Sequence, residues 1–252
     1  MTNFRLTLAY DGSRYNGWQR QGNTEHTIQG RIERVLSEMV GHAVEIHGAG
    51  RTDAGVHALA QVAHVKLNTA LTPAEVQAYL TRYLPGDIAV TNCEEVDIRF
   101  HARLNACGKH YRYRIWNSAV PSVFERKYLF QYPGPLSLER MREGAPYLTG
   151  KHDFRAFCGN RRMKKSTVRT LHRIEVLRMG DEVRIELYGT GFLQNMVRIL
   201  TGTLLEVGAG KRSPESFASV LESRDRTQAG ATLPPQGLFL VSVDYGDKPD
   251  AF

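Results

Sequence analysis

The sequence contains little cysteine and lacks the usual metal-binding motifs. Its 252 residues include three cysteines, Cys93, Cys107 and Cys158, which lie far apart and form no C-x-x-C pair. This spacing argues against both a disulfide framework and a zinc knuckle. The nine histidines form no H-E-x-x-H motif, so a zinc-activated water is not expected. We therefore predict a protein of the reducing cytoplasm that requires no metal.

Long apolar runs are also missing. No stretch approaches the length of a membrane-spanning helix, and the opening residues "MTNFRLTLAYDG" pass directly into a strand pattern. We expect a soluble protein with no membrane partner. The sequence has neither a G-x-S-x-G nucleophile elbow nor a P-loop, which argues against a serine hydrolase and a P-loop nucleotidase.

The charge of the chain is unbalanced toward the basic side. Thirty-three lysines and arginines face 26 aspartates and glutamates, so the net charge is +7. Such an excess suits a polyanionic partner, and nucleic acid is the first hypothesis. With 42% hydrophobic residues, the chain is long enough for one large or two modest domains, each with its own core.

Periodicity in the first hundred residues predicts the order strand, helix, strand, strand, helix, strand. Thr27 and Gly41 bound the first amphipathic helix. Thr72 and Glu75 form a capping box at the start of the second helix. This order is typical of a split βαβ unit. The strands are predicted at residues 4–10, 44–46, 59–67 and 88–96.

The second half repeats this order, with an additional helix capped at Ser213-Pro214. Strands are predicted at 109–116, 170–179, 183–189 and 237–245, and helices at 137–148 and 192–207. We predict an α+β protein with halves 1–105 and 106–252. Placed edge to edge, two such halves would form one wide, mostly antiparallel sheet with helices on one face and a groove on the other.

The stretch "HGAGRTDAGVH", residues 47–57, joins two predicted strands and carries one carboxylate, Asp53. A dinucleotide-binding loop is disfavoured, because Asp53 stands where a third glycine is due and a strand follows instead of a helix. Two interpretations remain open: Asp53 shapes a turn, or it is a reactive carboxylate beside Arg51, among glycines that admit a ligand. The absence of another plausible nucleophile favours the second.

The strand at 109–116 supplies candidate binding groups. Alternation places Tyr111 on one face and Arg112 and Arg114 on the other. The tyrosine face would belong to the core, with the arginines solvated. Alternatively, one tyrosine ring would stack on a nucleic-acid base and the arginines would contact phosphates.

The helix at 192–207 carries a single arginine, Arg198, on a face of polar and small residues. Two interpretations are open. This face is surface, or it brings the guanidinium to a partly buried carboxylate and keeps that carboxylate ionised.

Three basic loops, at residues 14–21, 124–128 and 158–166, are interleaved with aromatic residues and favour an RNA-binding surface. One alternative is an RNA-binding module without catalytic activity. Another is a metal-dependent nuclease, which would need carboxylates such as Asp11, Asp53 and Asp87 to converge.

Five segments together resemble one enzyme family, the tRNA pseudouridine synthase A family, and the resemblance runs essentially from end to end. The segment R-T-D-A-G-V-H is specific to this family. Its members isomerise uridine to pseudouridine at positions 38, 39 and 40 in the anticodon stem-loop of tRNA. The segments are "LAYDGSRYNGWQRQ", "GAGRTDAGVHA", "GKHYRYRI", "GTGFLQNMVR" and "PPQGLFLVSV".

The resemblance implies a role for each candidate residue. Asp53 matches the catalytic aspartate, Tyr111 the tyrosine that stacks on the target base, and Arg198 the arginine paired with the aspartate. Arg51 matches the arginine that helps to hold the flipped nucleotide out of the stem. The resemblance also implies two ferredoxin-like (βαββαβ) halves with an RNA-binding cleft between them, a homodimer that shares each tRNA, and no cofactor.

Overall fold

The computed structural model describes residues 1–22 and 24–246. These residues contain ten β-strands and five α-helices, so the predicted mixed α+β class is confirmed. None of the helices in the described residues is long and apolar enough to cross a membrane. The chain divides into two compact units. The first comprises Met1–Cys107 together with residues 239–246, and the second comprises Gly108–Leu238.

The first unit is built on antiparallel strands in the order β4-β1-β3, with β2 also paired to β3. Phe4, Leu6 and Leu8 alternate with more exposed residues along β1 and are fully buried. Ile32 of α1 and Leu80 of α2 are fully buried too, because each helix turns one apolar stripe toward the core. The elements are β1 Thr2–Tyr10, α1 Ile28–Val40, β2 Ile46–Gly48, β3 His57–Leu67, α2 Pro73–Tyr83 and β4 Ile88–Val96.

The predicted helix boundaries in this unit are confirmed. The Thr27 side chain accepts a hydrogen bond from the Gly30 N–H, and Gly41 ends α1 in the left-handed conformation with φ of 76°. Thr72 and Glu75 form the complete capping box at the start of α2. Both signals depend on local side-chain to backbone hydrogen bonds, which is why sequence alone locates them.

The last strand, β10 (Leu238–Asp244), belongs from Phe239 onward to the first unit, whereas the sequence pattern places it in the second half. Phe239 pairs in parallel with His57 of β3. The Asp244 carbonyl accepts a hydrogen bond from Cys107 N at 2.8 Å, and the Tyr245 hydroxyl donates to the Ala102 carbonyl at 2.6 Å. These long-range contacts attach the strand to the first unit, and no local pattern encodes them.

The second unit has the strand order β5-β9-β8-β7, with β6 paired in parallel to β5. The predicted hairpin between β8 and β9 is confirmed, with Gly180 at φ of 62° in the turn. The short strands β6 and β7 were not predicted. The elements are β5 Gly108–Trp116, β6 Phe130–Gln131, α3 Leu138–Leu148, β7 Gly150–Asp153, β8 Val168–Met179, β9 Glu182–Gly189, α4 Met196–Gly208 and α5 Ser216–Ser223.

Two helices in this unit begin later than their sequences predict. Helix α4 starts at Met196 rather than at residue 192, because Asn195 is left-handed with φ of 59° and the preceding Gln194 carbonyl accepts a hydrogen bond from Gly159 N. A left-handed residue cannot continue a right-handed helix. Helix α5 starts at Ser216 and not at the predicted Ser213-Pro214 cap.

Three histidine rings lie close together in the first unit. The ring centroids of His64 and His47 are 5.1 Å apart, and those of His64 and His101 are 4.6 Å apart. His64 is buried, and its Nδ1 accepts a hydrogen bond from the Ala102 N–H. Burial, followed by the proximity of His101, His47 and Lys66, lowers the pKa of His64 to about 4. The folded protein therefore holds this imidazole neutral at pH values where the unfolded chain protonates it.

We predict that this histidine makes the first unit sensitive to acid. The unfolded chain binds a proton near pH 6.5 that folded His64 takes up only near pH 4. The free energy of unfolding should therefore decrease as the pH is lowered from about 6.5 to about 4, by up to about 1.4 kcal/mol per pH unit. Chemical denaturation across this range should show a smaller pH slope for His64→Gln. The exposed His42, changed to Gln, should leave the slope as it is. Equal slopes in the wild type and His64→Gln would contradict the assignment.

Candidate active site

Asp53 lies in the loop between β2 and β3. The Asp53 carbonyl accepts a hydrogen bond from Val56 N at 3.1 Å, which closes a four-residue turn. Gly55, the third residue of this turn, has φ of 77°, the sign that a type II turn requires at that position. Asp53 itself is half-buried. The interpretation of Asp53 as a turn residue is therefore confirmed, and its role as a reactive carboxylate stays a prediction.

The segment 11–18 supports this loop by direct backbone contact. Trp18 N donates to the Thr52 carbonyl at 3.1 Å, and Gly55 N donates to the Tyr15 carbonyl at 3.3 Å. Gly17 has φ of 86°, and a Cβ there would lie 2.5 Å from the Thr52 carbonyl oxygen. Such a distance is too short for a real contact, so the close approach requires glycine.

Buried polar side chains hold the loop from inside the sheet. The Tyr10 hydroxyl lies 2.9 Å from Thr52 Oγ1, and Gln61 Nε2 donates to the Gly50 carbonyl at 2.9 Å. Burial raises the pKa of Tyr10 to about 12, against the opposing hydrogen bonds from Thr52 and Gln61. The phenol therefore stays neutral. These three residues fix the backbone on the N-terminal side of Asp53.

Arg51 is exposed, and its Nε donates to Gln19 Oε1 at 3.0 Å. A chain of hydrogen bonds continues inward from Gln19 to Gln29 at 2.6 Å and from Gln29 to Glu33 at 2.7 Å. Glu33 is buried and also accepts from Ile46 N at 3.1 Å. The guanidinium is thus tethered to helix α1 through its Nε, and among the described residues its terminal nitrogens make no further hydrogen bond.

The other two carboxylates considered for a metal site have different partners. Asp87 accepts from Arg14 NH2 at 2.5 Å and from the Tyr15 hydroxyl at 2.7 Å. Asp11 accepts from Ser13 N at 2.9 Å and starts a short 3₁₀ turn. In the part of the chain that the structure describes, no three His, Cys, Asp or Glu side chains are grouped as metal ligands.

Tyr111 lies on β5 in the second unit, opposite Leu187 of β9. Its side chain is buried, and its ring meets the ring of Phe192 edge to face, with centroids 5.0 Å apart and an interplanar angle of 76°. Such a contact is favourable for aromatic pairs and fixes the plane of the ring. The predicted core face of this strand is confirmed.

The opposite face of β5 is neither solvated nor simply basic. Arg112 Nε donates to Glu186 at 2.6 Å, and Arg114 Nε donates to Glu182 at 2.8 Å. Burial alone would raise the pKa of Glu182, but the hydrogen bonds from Arg114 and Arg184 outweigh it and bring the pKa to about 2. The arginines therefore neutralise two buried glutamates, a role that the sequence did not reveal because the partners lie on another strand.

Arg198 projects from the first turns of α4. Its Nε donates to the Leu233 carbonyl at 2.6 Å, and NH1 donates to Asn195 Oδ1 at 2.9 Å. The face it shares with Thr201 and Gly202 is covered, since Thr201 is fully buried and a Cβ on Gly202 would lie 2.0 Å from the Ala231 carbonyl oxygen. The interpretation of this face as surface is wrong. It packs against the segment 229–233.

The structure brings Arg51 and Asp53 together in one loop of the first unit and places Tyr111 and Arg198 in the second. The pairing of Asp53 with Arg198 stays a prediction. Sequence reasoning missed the supporting residues Tyr10, Thr52 and Gln61. A signal for Gln61 exists, because a glutamine inside an otherwise apolar strand pattern must find hydrogen-bond partners when it is buried.

The sequence is similar to known proteins along nearly its whole length. A model of the tRNA pseudouridine synthase family matches residues 7–105 and 145–246. A tRNA pseudouridine synthase A from Bacillus sp. (strain KSM-64) is 49% identical over 97% of this chain and 100% of its own length. The Acetivibrio thermocellus tRNA pseudouridine synthase A is 44% identical with the same coverage.

Among solved structures, a chain in the crystal structure of a Cbf5-Nop10-Gar1 complex is 17% identical, with a TM-score of 0.36 over 80% of this chain and 45% of that chain. That similarity is too low to support an argument. The sequence matches define the class, an RNA-modifying isomerase. The chain belongs to the tRNA pseudouridine synthase family.

We predict that Gly17→Ala displaces the loop that carries Asp53, in addition to the backbone strain that its positive φ causes. The new Cβ would displace Thr52 and Asp53, whereas Gly41→Ala imposes a similar positive φ of 76° with nothing within 4 Å. Both variants should lose about 1–2 kcal/mol of stability from the conformation. Gly17→Ala alone should lose most of its pseudouridine formation, measured under conditions where both remain folded. Equal activities would show that the contact is not needed.

Proposed function

We propose that this isomerase converts uridine to pseudouridine at positions 38, 39 and 40 of the tRNA anticodon stem-loop, with Asp53 as the reacting carboxylate. The observation that carries the proposal is the half-buried carboxylate on a loop whose backbone is fixed by segment 11–18. The loop lies inside the stretch matched by the family model. Fixed placement of the reactive group is what an isomerisation without cofactor needs.

The reaction rearranges the substrate without adding or removing a group. The bond between uridine N1 and C1′ breaks, the uracil turns in the site, C5 bonds to C1′, and the C5 proton leaves to solvent while N1 gains one. A carboxylate can assist by adding to C6 of the base, by attacking C1′, or by abstracting a sugar proton. All three routes require Asp53 to be ionised, and a neighbouring arginine such as Arg198 would favour that state.

Tyr111 would stack on the target base, and Arg51 would hold the flipped nucleotide outside its stem. Unstacking the base costs a few kcal/mol, and stacking on a tyrosine offsets about 1–3 kcal/mol of that cost. Two features support these roles: the Tyr111 ring plane is fixed by Phe192, and Arg51 is exposed while tethered to Gln19.

We also infer the finer architecture that the resemblance implies. Each half would be ferredoxin-like, the active cleft would carry residues of both halves, and the enzyme would work in the cytoplasm as a homodimer. In the first half, the strand order is β4-β1-β3, with β2 beside β3. Two interleaved βαβ units produce this order, so it supports the ferredoxin-like inference.

We expect Asp53→Asn to abolish pseudouridine formation while binding of tRNA is retained. The amide keeps the size of the side chain but can act neither as a nucleophile nor as a base, so the rate should fall by about 10⁴-fold or more. Release of tritium from tRNA labelled at uridine C5 measures the rate, and filter binding measures affinity. Asp181→Asn, in the exposed turn between β8 and β9, is the charge-matched control and should be fully active.

The same assay separates the proposal from its rivals. An RNA-binding module without activity would release no tritium even as the wild type. A metal-dependent nuclease would cleave the strand and would stop when EDTA is added, whereas the isomerase should tolerate the chelator. Wild-type turnover by Asp53→Asn would overturn the role given to Asp53.

Tyr111 should act mainly through its ring. Tyr111→Phe keeps the ring, so its affinity for tRNA should stay within about twofold, whereas Tyr111→Leu keeps apolar volume but loses stacking and should bind about tenfold more weakly. Binding isotherms and thermal melts of both variants test this. A loss of turnover in Tyr111→Phe with normal binding would assign proton handling to the hydroxyl, and equal affinities of the two variants would exclude stacking.

A further inference from the structure

A basic cavity of about 610 Å³ opens on the first unit, and none of the candidate residues described above lines it. It lies where segment 11–18, helix α1 and the end of α2 meet. The polar side chains that line it include three arginines and only one acid. They are Arg14, Tyr15, His26, Arg31, Arg34 and Glu38.

The three arginines differ in how their charges are balanced. Arg14 is paired with Asp87 at 2.5 Å, and Arg34 with Glu38 at 3.1 Å. The half-buried Arg31 instead has its NH2 group 3.3 Å from His26 Nδ1, and no carboxylate in the described residues forms an ion pair with it. A guanidinium has five N–H donors. Arg31 therefore brings an unneutralised charge and spare donors to the wall of the cavity.

We propose that this cavity binds a phosphate of the tRNA backbone through Arg31, with Arg14 and Arg34 on either side. The inference rests on the proposed function, since it assigns a contact to the same substrate. Arginine matches the geometry of phosphate oxygens with two parallel hydrogen bonds, and such contacts position a nucleic acid without reading its sequence. The cavity opens to solvent, so the backbone of a long RNA chain can pass its mouth.

The cavity is connected to the Asp53 loop by the segment that lines it. Tyr15 donates its hydroxyl to Asp87 at 2.7 Å, and its carbonyl accepts from Gly55 N at 3.3 Å. A phosphate held by Arg31 would therefore lie next to segment 11–18, the segment that also contacts the loop carrying Asp53. Binding there would anchor the tRNA and leave the chemical step to Asp53.

Two variants with opposite expected effects test the proposal. Arg31→Ala should weaken tRNA binding about tenfold, the loss typical of one charged hydrogen-bonded contact, and should reduce the slope of log affinity against log salt by about one. Glu38→Gln removes a negative charge and should tighten binding. Arg31→Lys keeps the charge without the paired donors and should be intermediate. Arg99→Ala, an exposed arginine outside the cavity, is the control and should change binding less.

Arg31→Ala should raise the KM for tRNA about tenfold and change kcat much less, which separates this contact from the catalytic proposal. If the wild type releases no tritium from C5, the proposed function fails while the binding result still decides the role of Arg31. Equal affinity and salt slope for Arg31→Ala and Arg99→Ala would overturn the proposal. Inorganic phosphate is a second probe: if it perturbs the Arg31 signal in NMR spectra while Arg31→Ala leaves tRNA binding intact, the cavity binds a small phosphate compound and the RNA assignment is wrong.

Discussion

The backbone of segment 11–18 lies in contact with the loop that carries Asp53, and the proposed active site depends on this contact. Gly17 has no side chain to keep it from the Thr52 carbonyl, and Gly55 adopts a positive φ that lets its N–H reach Tyr15. The hydrogen bond between the Tyr10 hydroxyl and the Thr52 side chain ties the loop to the end of strand β1. A side chain on a loop held in this way loses less conformational entropy when a ligand binds, which is how fixed positions promote reactions.

Pairing of charges distinguishes structural arginines from those available to RNA. On β5, Arg112 and Arg114 are used to neutralise Glu186 and Glu182, so a basic strand in the sequence is not a basic surface in the fold. Breaking such a buried pair would leave an uncompensated charge. Arg31, by contrast, lines a cavity and forms no ion pair with a carboxylate of the described residues. An arginine is available to bind phosphate when no carboxylate of the fold neutralises it. The number of arginines in a stretch of sequence does not decide this.

Sequence reasoning predicted the features that depend on neighbours along the chain and missed those that depend on distant ones. The caps at Thr27 and Thr72 were located because each bonds to a backbone N–H within three residues. The late start of α4 at Met196 depends on a hydrogen bond from Gly159 to the residue before Asn195, and the place of β10 depends on β3. Asp53 could be singled out by its glycines and by family resemblance, whereas the partners that fix its loop required the fold.

We propose that the side chain of residue 53 meets the uridine that reacts. A crystal structure of Asp53→Asn bound to an unmodified anticodon stem-loop tests this most directly. We predict an extruded uridine with its base on Tyr111 and its C1′ or C6 within about 3–3.5 Å of the residue 53 side chain, the separation of groups about to react. A stem-loop bound with its uridine still stacked, or extruded to a place remote from residue 53, would contradict it.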